Sequence, residues 1–192
     1  MLKRLYDWTL SMAQHPRALW ALALVAFIES SVFPIPPDIL MIPLIVARPK
    51  DAFKIAFVAT LASVAGGMLG YFIGYGAFET IGRPVLEFYG KDAYFDEFKE
   101  TYNQYGAWAV LIAGVTPFPY KVITILSGAT ALSLPVFIAA SVVARALRFF
   151  IVAALLWKFG EPIRDFIEKR LGLMFTLFII LLVGGFAVVK FL

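Results

Sequence analysis

The 192-residue sequence contains no cysteine, which excludes disulfides, thiolate metal sites and cysteine nucleophiles. It has one histidine, His15, in a polar stretch near the start. A single imidazole builds no zinc site and reads here as a solvated side chain. Charge is also scarce: 16% of residues are Asp, Glu, Lys or Arg, against about 25% in an ordinary soluble domain. Hydrolysis wants a nucleophile with a neighbouring base, or a metal. With no deep histidine and few carboxylates, the expectation is no enzyme, no metal and no cofactor. The net charge of +4 matters less than where the charges lie, and no nucleic-acid partner is expected.

Apolar side chains are abundant instead. They make up 61% of the chain, with 19 phenylalanines, and that composition indicates an integral membrane protein. Lys3 and Arg4 followed by "ALWALALVAF" imitate a signal peptide, but Glu29 and a proline cluster follow rather than a small-residue cleavage site; the N-terminus reads as retained. Met1 to Arg17 mixes apolar and charged residues as a short amphipathic surface helix does. Long apolar blocks then run from Ala18 to Ala47, Ala52 to Phe78, Ala107 to Trp157 and Leu171 to Leu192.

The first block would be about 45 Å long as one helix, whereas the hydrocarbon core is about 30 Å thick. Pro34, Pro36 and Pro37 lack a backbone N–H and clash with a preceding helical turn, so a helix must end near Phe33. The expected shape is a re-entrant hairpin that turns at "PIPP". Backbone broken at such depth is tolerated where it is buried in protein or lines a watery cavity. Pro34-x-Pro36-x-Asp38 has a counterpart at constant offset in Pro117-x-Pro119-x-Lys121. An internal repeat follows, each unit a hairpin plus a spanning helix.

The resulting fold class is all-α membrane protein. It has two inverted re-entrant helical hairpins, each followed by a transmembrane helix, plus the N-terminal amphipathic helix and a C-terminal transmembrane helix. Residues 18–78 form the first hairpin and helix, 79–106 an interfacial linker, 107–158 the second hairpin and helix, and 171–192 the last helix, all one domain. Charge placement orients it. Lys3, Arg4, Arg17, Arg48, Lys50 and Lys54 fall on one side with Lys158, Arg164, Lys169 and Arg170, while the linker is rich in acids. The positive-inside rule makes the basic side cytoplasmic, and the single crossing between the hairpins inverts them, as in many secondary transporters.

Five ionisable residues remain inside the apolar blocks: Glu29, Asp38, Lys121, Arg145 and Arg148. Unpaired at the bilayer centre they would cost about 12–18 kcal/mol together, so they must pair, meet water or meet a ligand. Arg145 and Arg148 share a helix face near mid-membrane, and with Lys121 they make a cationic pocket suited to phosphate oxygens. Glu29 and Asp38, from opposite arms of the first hairpin, are the candidate proton carriers. The bland alternative is that the acids only pair with the arginines to hold the halves together. Gly66, Gly70 and Gly74 form a ridge for close helix packing that would also permit a homodimer. The four tryptophans fall near segment ends as interface anchors.

"FIESSVFPIPPD", "GGMLGYFIGYG", "GVTPFPYKVITILSGA" and the following arginine-bearing helix together resemble the DedA family, also called VTT-domain or SNARE-associated proteins, and most closely its YqaA-like branch. The resemblance implies a multi-pass protein of the bacterial cytoplasmic (inner) membrane. It further implies transport of lipids, notably undecaprenyl phosphate, with dependence on the proton motive force. The expected partners are thus membrane lipids, through an anionic head group, and protons. Family carboxylates near the first hairpin fall on Glu29 and Asp38. Where the second hairpin of the family carries arginines, this chain has Thr116 and Pro117 at the first place and Lys121 at the second. That substitution leaves the cargo open, with phosphatidylethanolamine or another phospholipid as the alternative to a polyprenyl phosphate, and a structural envelope-assembly role as the alternative to transport.

Overall fold

A computed structural model describes residues 17–33, 35–90, 92–116, 118–160 and Pro162. The expected amphipathic helix before Arg17, the C-terminal helix 171–192 and two of the turn prolines, Pro34 and Pro117, lie outside the described residues. The rest is helical, with no strand among the described residues. In chain order α1 is Ala18–Ser31, α2 Asp38–Ala47, α3 Ala52–Ala77, α4 Arg83–Phe88, α5 Asp92–Val115 and α6 Tyr120–Ala129, followed by α7, Leu134–Gly160. A 3-10 turn, Pro49–Asp51, joins α2 to α3, and a π-helical turn, Phe78–Gly82, joins α3 to α4.

Both helix breaks fall where proline withholds a donor. α1 stops at Ser31, and the chain resumes as helix at Asp38 with Pro37 as the residue before its first turn. α5 stops at Val115, and Pro119 precedes α6. Proline is well placed there, because the first helical N–H groups have no partner within the helix. At about 21, 15 and 15 Å, α1, α2 and α6 are each shorter than a hydrocarbon core. Two helices are long and apolar enough to cross one: the continuous run Pro49–Phe88, 40 residues, and α7, 27 residues.

The second unit differs from expectation at its start. No break separates a linker ending at 106 from a hairpin beginning at 107; α5 runs straight through Gly106. A side chain there would overlap Leu132, so the glycine serves close packing and does not end the helix. Phe78 stacks on Phe95 with ring centres 4.2 Å apart, and Phe98 and Tyr102 continue the aromatic row. Asn103 donates to the carbonyl of Thr130 at 2.9 Å, satisfying the end of α6.

Side-chain size is distributed inside-out relative to a soluble bundle. The buried face of α3 carries Ala56, Ala59, Ser63, Gly66, Gly70 and Gly74, while Phe53, Phe57, Leu61 and Phe72 are exposed. Small residues inside let backbones approach, and large apolar residues outside suit a lipid surround. A Cβ on Gly66 would overlap the backbone of Phe27 in α1, one on Gly70 would meet Thr124 of α6 and the carbonyl of Ser30, and one on Gly74 would overlap the carbonyl of Ile125 in α6. The glycine ridge is therefore consumed within the chain, between α3 and both broken units. It is not a free face for a second copy, which removes the basis for expecting a dimer there.

Two apolar clusters form the core. One joins Leu22 of α1, Met41 and Ile45 of α2, Ile55 and Ala59 of α3, and Phe149 and Ala153 of α7. The other joins Tyr71 of α3, Val110 and Ala113 of α5, Tyr120 and Ile123 of α6, and Phe137 and Ala140 of α7. α3 and α7 visit the clusters in opposite order, so they run antiparallel. The α1–α2 unit packs in the first cluster and the α5–α6 unit in the second, and their breaks meet between.

Candidate functional site

Between the clusters lies a polar layer assembled from α1, α3, α6 and α7. Ser30 and Ser31 of α1, Ser63 of α3, Thr124 of α6, and Ser141 and Arg145 of α7 are all buried. Hydroxyls are the side chains that fit such a layer, since each can donate and accept with little volume. Thr124 Oγ1 lies 3.0 Å from the carbonyl of Ser30 and can donate to it, bridging the two broken units.

Among the described residues Arg145 is the largest fully buried side chain, 1% exposed. Its Nη2 donates to Glu29 Oε2 at 3.1 Å and its Nε to Ser63 Oγ at 2.6 Å. Ser30 Oγ is 2.7 Å from Ser63 Oγ and 3.1 Å from Glu29 Oε2. The guanidinium carbon lies over two rings, 4.7 Å from the centre of Tyr120 and 4.6 Å from that of Phe149. Such contacts suit arginine, whose charge is delocalised and weakly hydrated. Tyr120 in turn donates to Ser141. Nη1 is buried without a hydrogen-bond partner among the described residues.

One turn further along α7, Arg148 is more open, with its side chain 20% exposed. Nη2 donates to Asp38 Oδ2 at 2.7 Å and Nη1 to the carbonyl of Thr116 at 2.9 Å. Asp38 is the first residue of α2, just past the first break, and Thr116 is the first residue of the second break. Lys121, in the first turn of α6, reaches the other way. Its Nζ donates to the carbonyl of Val32, the first residue of the first break, at 3.1 Å. Among the described residues no carboxylate lies within ion-pair reach of Lys121.

The five charges picked out in the sequence thus gather at the meeting of the breaks, as two specific pairs and one cation on a carbonyl. Pro36, Pro37 and Pro119 lie in the breaks themselves. Four contributors escaped the sequence reading. Ser63 and Thr124 look like ordinary small polar residues of apolar helices, and the carbonyls of Val32 and Thr116 have no side-chain signature. Proline was the available signal: the helical partner of the Val32 carbonyl would be residue 36, and proline has no N–H to give. No three of His, Asp and Glu come together among the described residues as a metal would require.

This is a helical membrane protein whose interior holds two arginine–carboxylate pairs where two broken-helix units meet. The chain belongs to the VTT-domain, or DedA, family: the VTT domain matches residues 35–158. The match opens in the first break, so α1 and Glu29 precede it. An uncharacterized protein of Haemophilus influenzae is 33% identical over 186 residues, covering 97% of this chain and 96% of its own length. An uncharacterized protein of Histophilus somni is 38% identical over 168 residues, covering 85% of this chain and 87% of its own. No solved structure matches.

Proposed function

We propose that the protein is a flippase, a transporter that moves undecaprenyl phosphate or a related anionic lipid across the bacterial cytoplasmic membrane, coupled to protons. One observation carries this reading. Two acids of the first unit, Glu29 and Asp38, hold two arginines of α7 where the two breaks face each other. On this reading each broken unit enters and leaves the bilayer on one side, and the two enter from opposite sides, as in inverted-repeat transporters. Arg145, Arg148 and Lys121 supply the positive field for a phosphate, and a prenyl tail remains in lipid. A proton on Glu29 or Asp38 removes negative charge that offsets the positive field offered to the phosphate; its loss restores that charge and releases the cargo. The chemistry needs no bond cleavage, so the protein is not an enzyme on this reading.

The test is reconstitution into liposomes with fluorescent short-chain polyprenyl phosphate, following leaflet exchange with and without a pH gradient. Protein-dependent exchange that accelerates with the gradient is expected. Exchange of labelled phosphatidylethanolamine but not of the polyprenyl phosphate would reassign the cargo, and exchange of no lipid would end the proposal.

The near-complete burial of Arg145 favours a second reading for its pair, as a structural lock. Exchanging the charges, Glu29→Arg with Arg145→Glu, separates the two. A lock that works only by attraction survives the exchange with transport intact, whereas a site that presents positive charge to a phosphate does not.

A further inference from the structure

The three interior cations are built in two different ways. Arg145 is enclosed by a carboxylate, a hydroxyl and two aromatic rings, all from packed helices. Arg148 and Lys121 each donate to a carbonyl at the start of a break: Lys121 of the second unit reaches Val32 of the first, and Arg148 joins Thr116 of the second break to Asp38 just past the first. Proline chemistry accounts for those acceptors. The donor that a helix would bring to Val32 is Pro36, and the donor that a tighter turn would bring to Thr116 is Pro119; neither has an N–H. Val32 and Thr116 are exposed at the surface of the described residues; at membrane depth no water would pair their carbonyls, and the two cations satisfy them.

We propose that Lys121 and Arg148 are a double latch across the two breaks, and that a phosphate-bearing lipid head group opens it by taking both cations from their carbonyls. Arg145 is a positioning residue that does not touch the cargo. The proposal rests on the anionic-lipid reading above. A charged phosphate oxygen is a stronger acceptor than a neutral carbonyl, roughly by a factor of two. Arg148 can make the exchange with Nη1 alone while Nη2 stays on Asp38, so the carboxylate pair need not break when cargo binds. Once released, the Val32 and Thr116 carbonyls no longer tie one break to the other, which couples head-group binding to separation of the units.

The absence of native cysteine makes the test direct. Ile35→Cys and Val122→Cys, both at positions 40% exposed, carry a nitroxide pair that reports the distance between the breaks in the full-length protein. Farnesyl phosphate is added as the lipid probe, with inorganic phosphate and farnesol as separate arms. The expected result is a longer label separation with farnesyl phosphate and none with farnesol. Lys121→Gln and Arg148→Gln should each weaken farnesyl phosphate binding about tenfold and leave the label distance lengthened before any probe is added. Ser63→Ala, which takes away an acceptor of Arg145, should lower the melting temperature while binding stays within about twofold of the parent. Should Arg148→Gln fail to fold, Lys121→Gln carries the test alone.

Parent-like binding and distance in Lys121→Gln overturn the latch. So does a folded Ser63→Ala that loses binding as Arg148→Gln does, or a parent that responds to neither phosphate probe. An equal response to inorganic phosphate overturns the lipid as the source of the group. Vesicle exchange separates this outcome from the transporter reading. If the parent flips lipid while Lys121→Gln moves and binds as the parent does, the latch falls and transport stands. If the parent flips nothing yet its label distance answers farnesyl phosphate through Lys121, the latch stands without transport.

Discussion

At the scale of single residues, the two ion pairs are unequal in surroundings, and their mutations should differ accordingly. Glu29 is the carboxylate partner that Arg145 has in a site where the arginine is 1% exposed. Removing one member of a buried pair strands the other's charge, at a cost of about 3–5 kcal/mol. Glu29→Gln should therefore sharply lower unfolding stability in detergent, read from a thermal or denaturant melt, and adding Arg145→Met should recover much of the loss. Additive losses in the double variant would contradict the pairing. Asp38 and Arg148 are 22% and 20% exposed, and the arginine keeps its bond to Thr116 when Asp38 is neutralised. Asp38→Asn should cost less, about 1–2 kcal/mol, while abolishing any response of lipid exchange to a pH gradient. A melt in which Asp38→Asn is the worse of the two would reverse the assignment of lock and switch.

At the scale of elements, α3 is the spine, and its glycines divide by what lies opposite them. Gly74→Ala would push a methyl into the carbonyl of Ile125, whereas nothing lies within 4 Å of a side chain at Gly76. The first should destabilise by about 1–3 kcal/mol through overpacking. The second, in the same helix, should stabilise by about 0.5–1 kcal/mol through reduced backbone entropy. Melting both variants side by side checks it, and similar shifts would mean that α6 does not pack where described. The breaks were legible in the sequence because proline acts locally: it removes one N–H wherever it stands. The ends of α1 and the starts of α2 and α6 follow from Pro34 to Pro37 and Pro117 to Pro119. The continuity of α5 was not legible, since Gly106 ends a helix or lets one pack according to what faces it, and Leu132 is far away in sequence. For the same reason the sequence placed five charges in the interior without saying which acid meets which arginine. Those pairings depend on the axial offset of α1 and α2 against α7, which is set by packing among Leu22, Met41, Ile45, Phe149 and Ala153, residues far apart in sequence.

At the scale of the whole molecule, the polar layer lies between two apolar clusters of opposite helix order, so its depth follows from where a bilayer would sit. Trp20 and Trp157 are exposed beside the first cluster and Trp108 beside the second, the places that interface anchors favour. The run from Pro49 to Phe88 is 40 residues, about 60 Å as one helix, twice the hydrocarbon thickness. Its far end, with Glu79, Arg83 and Glu87, must stand beyond the lipid. The near end carries Lys50 and Lys54, and the positive-inside rule leads to the expectation that it is cytoplasmic. Single cysteines at the two ends read this directly in a chain that has none of its own. Lys50→Cys should react with a membrane-impermeant maleimide only after the cytoplasmic side is opened. Tyr89→Cys, 69% exposed in the native chain, should react in intact spheroplasts. Reaction of both from the same side would mean that Pro49–Phe88 does not cross the bilayer. The two broken units would then enter from one face, and Glu29 and Asp38 could no longer offer protons to a site reached alternately from both.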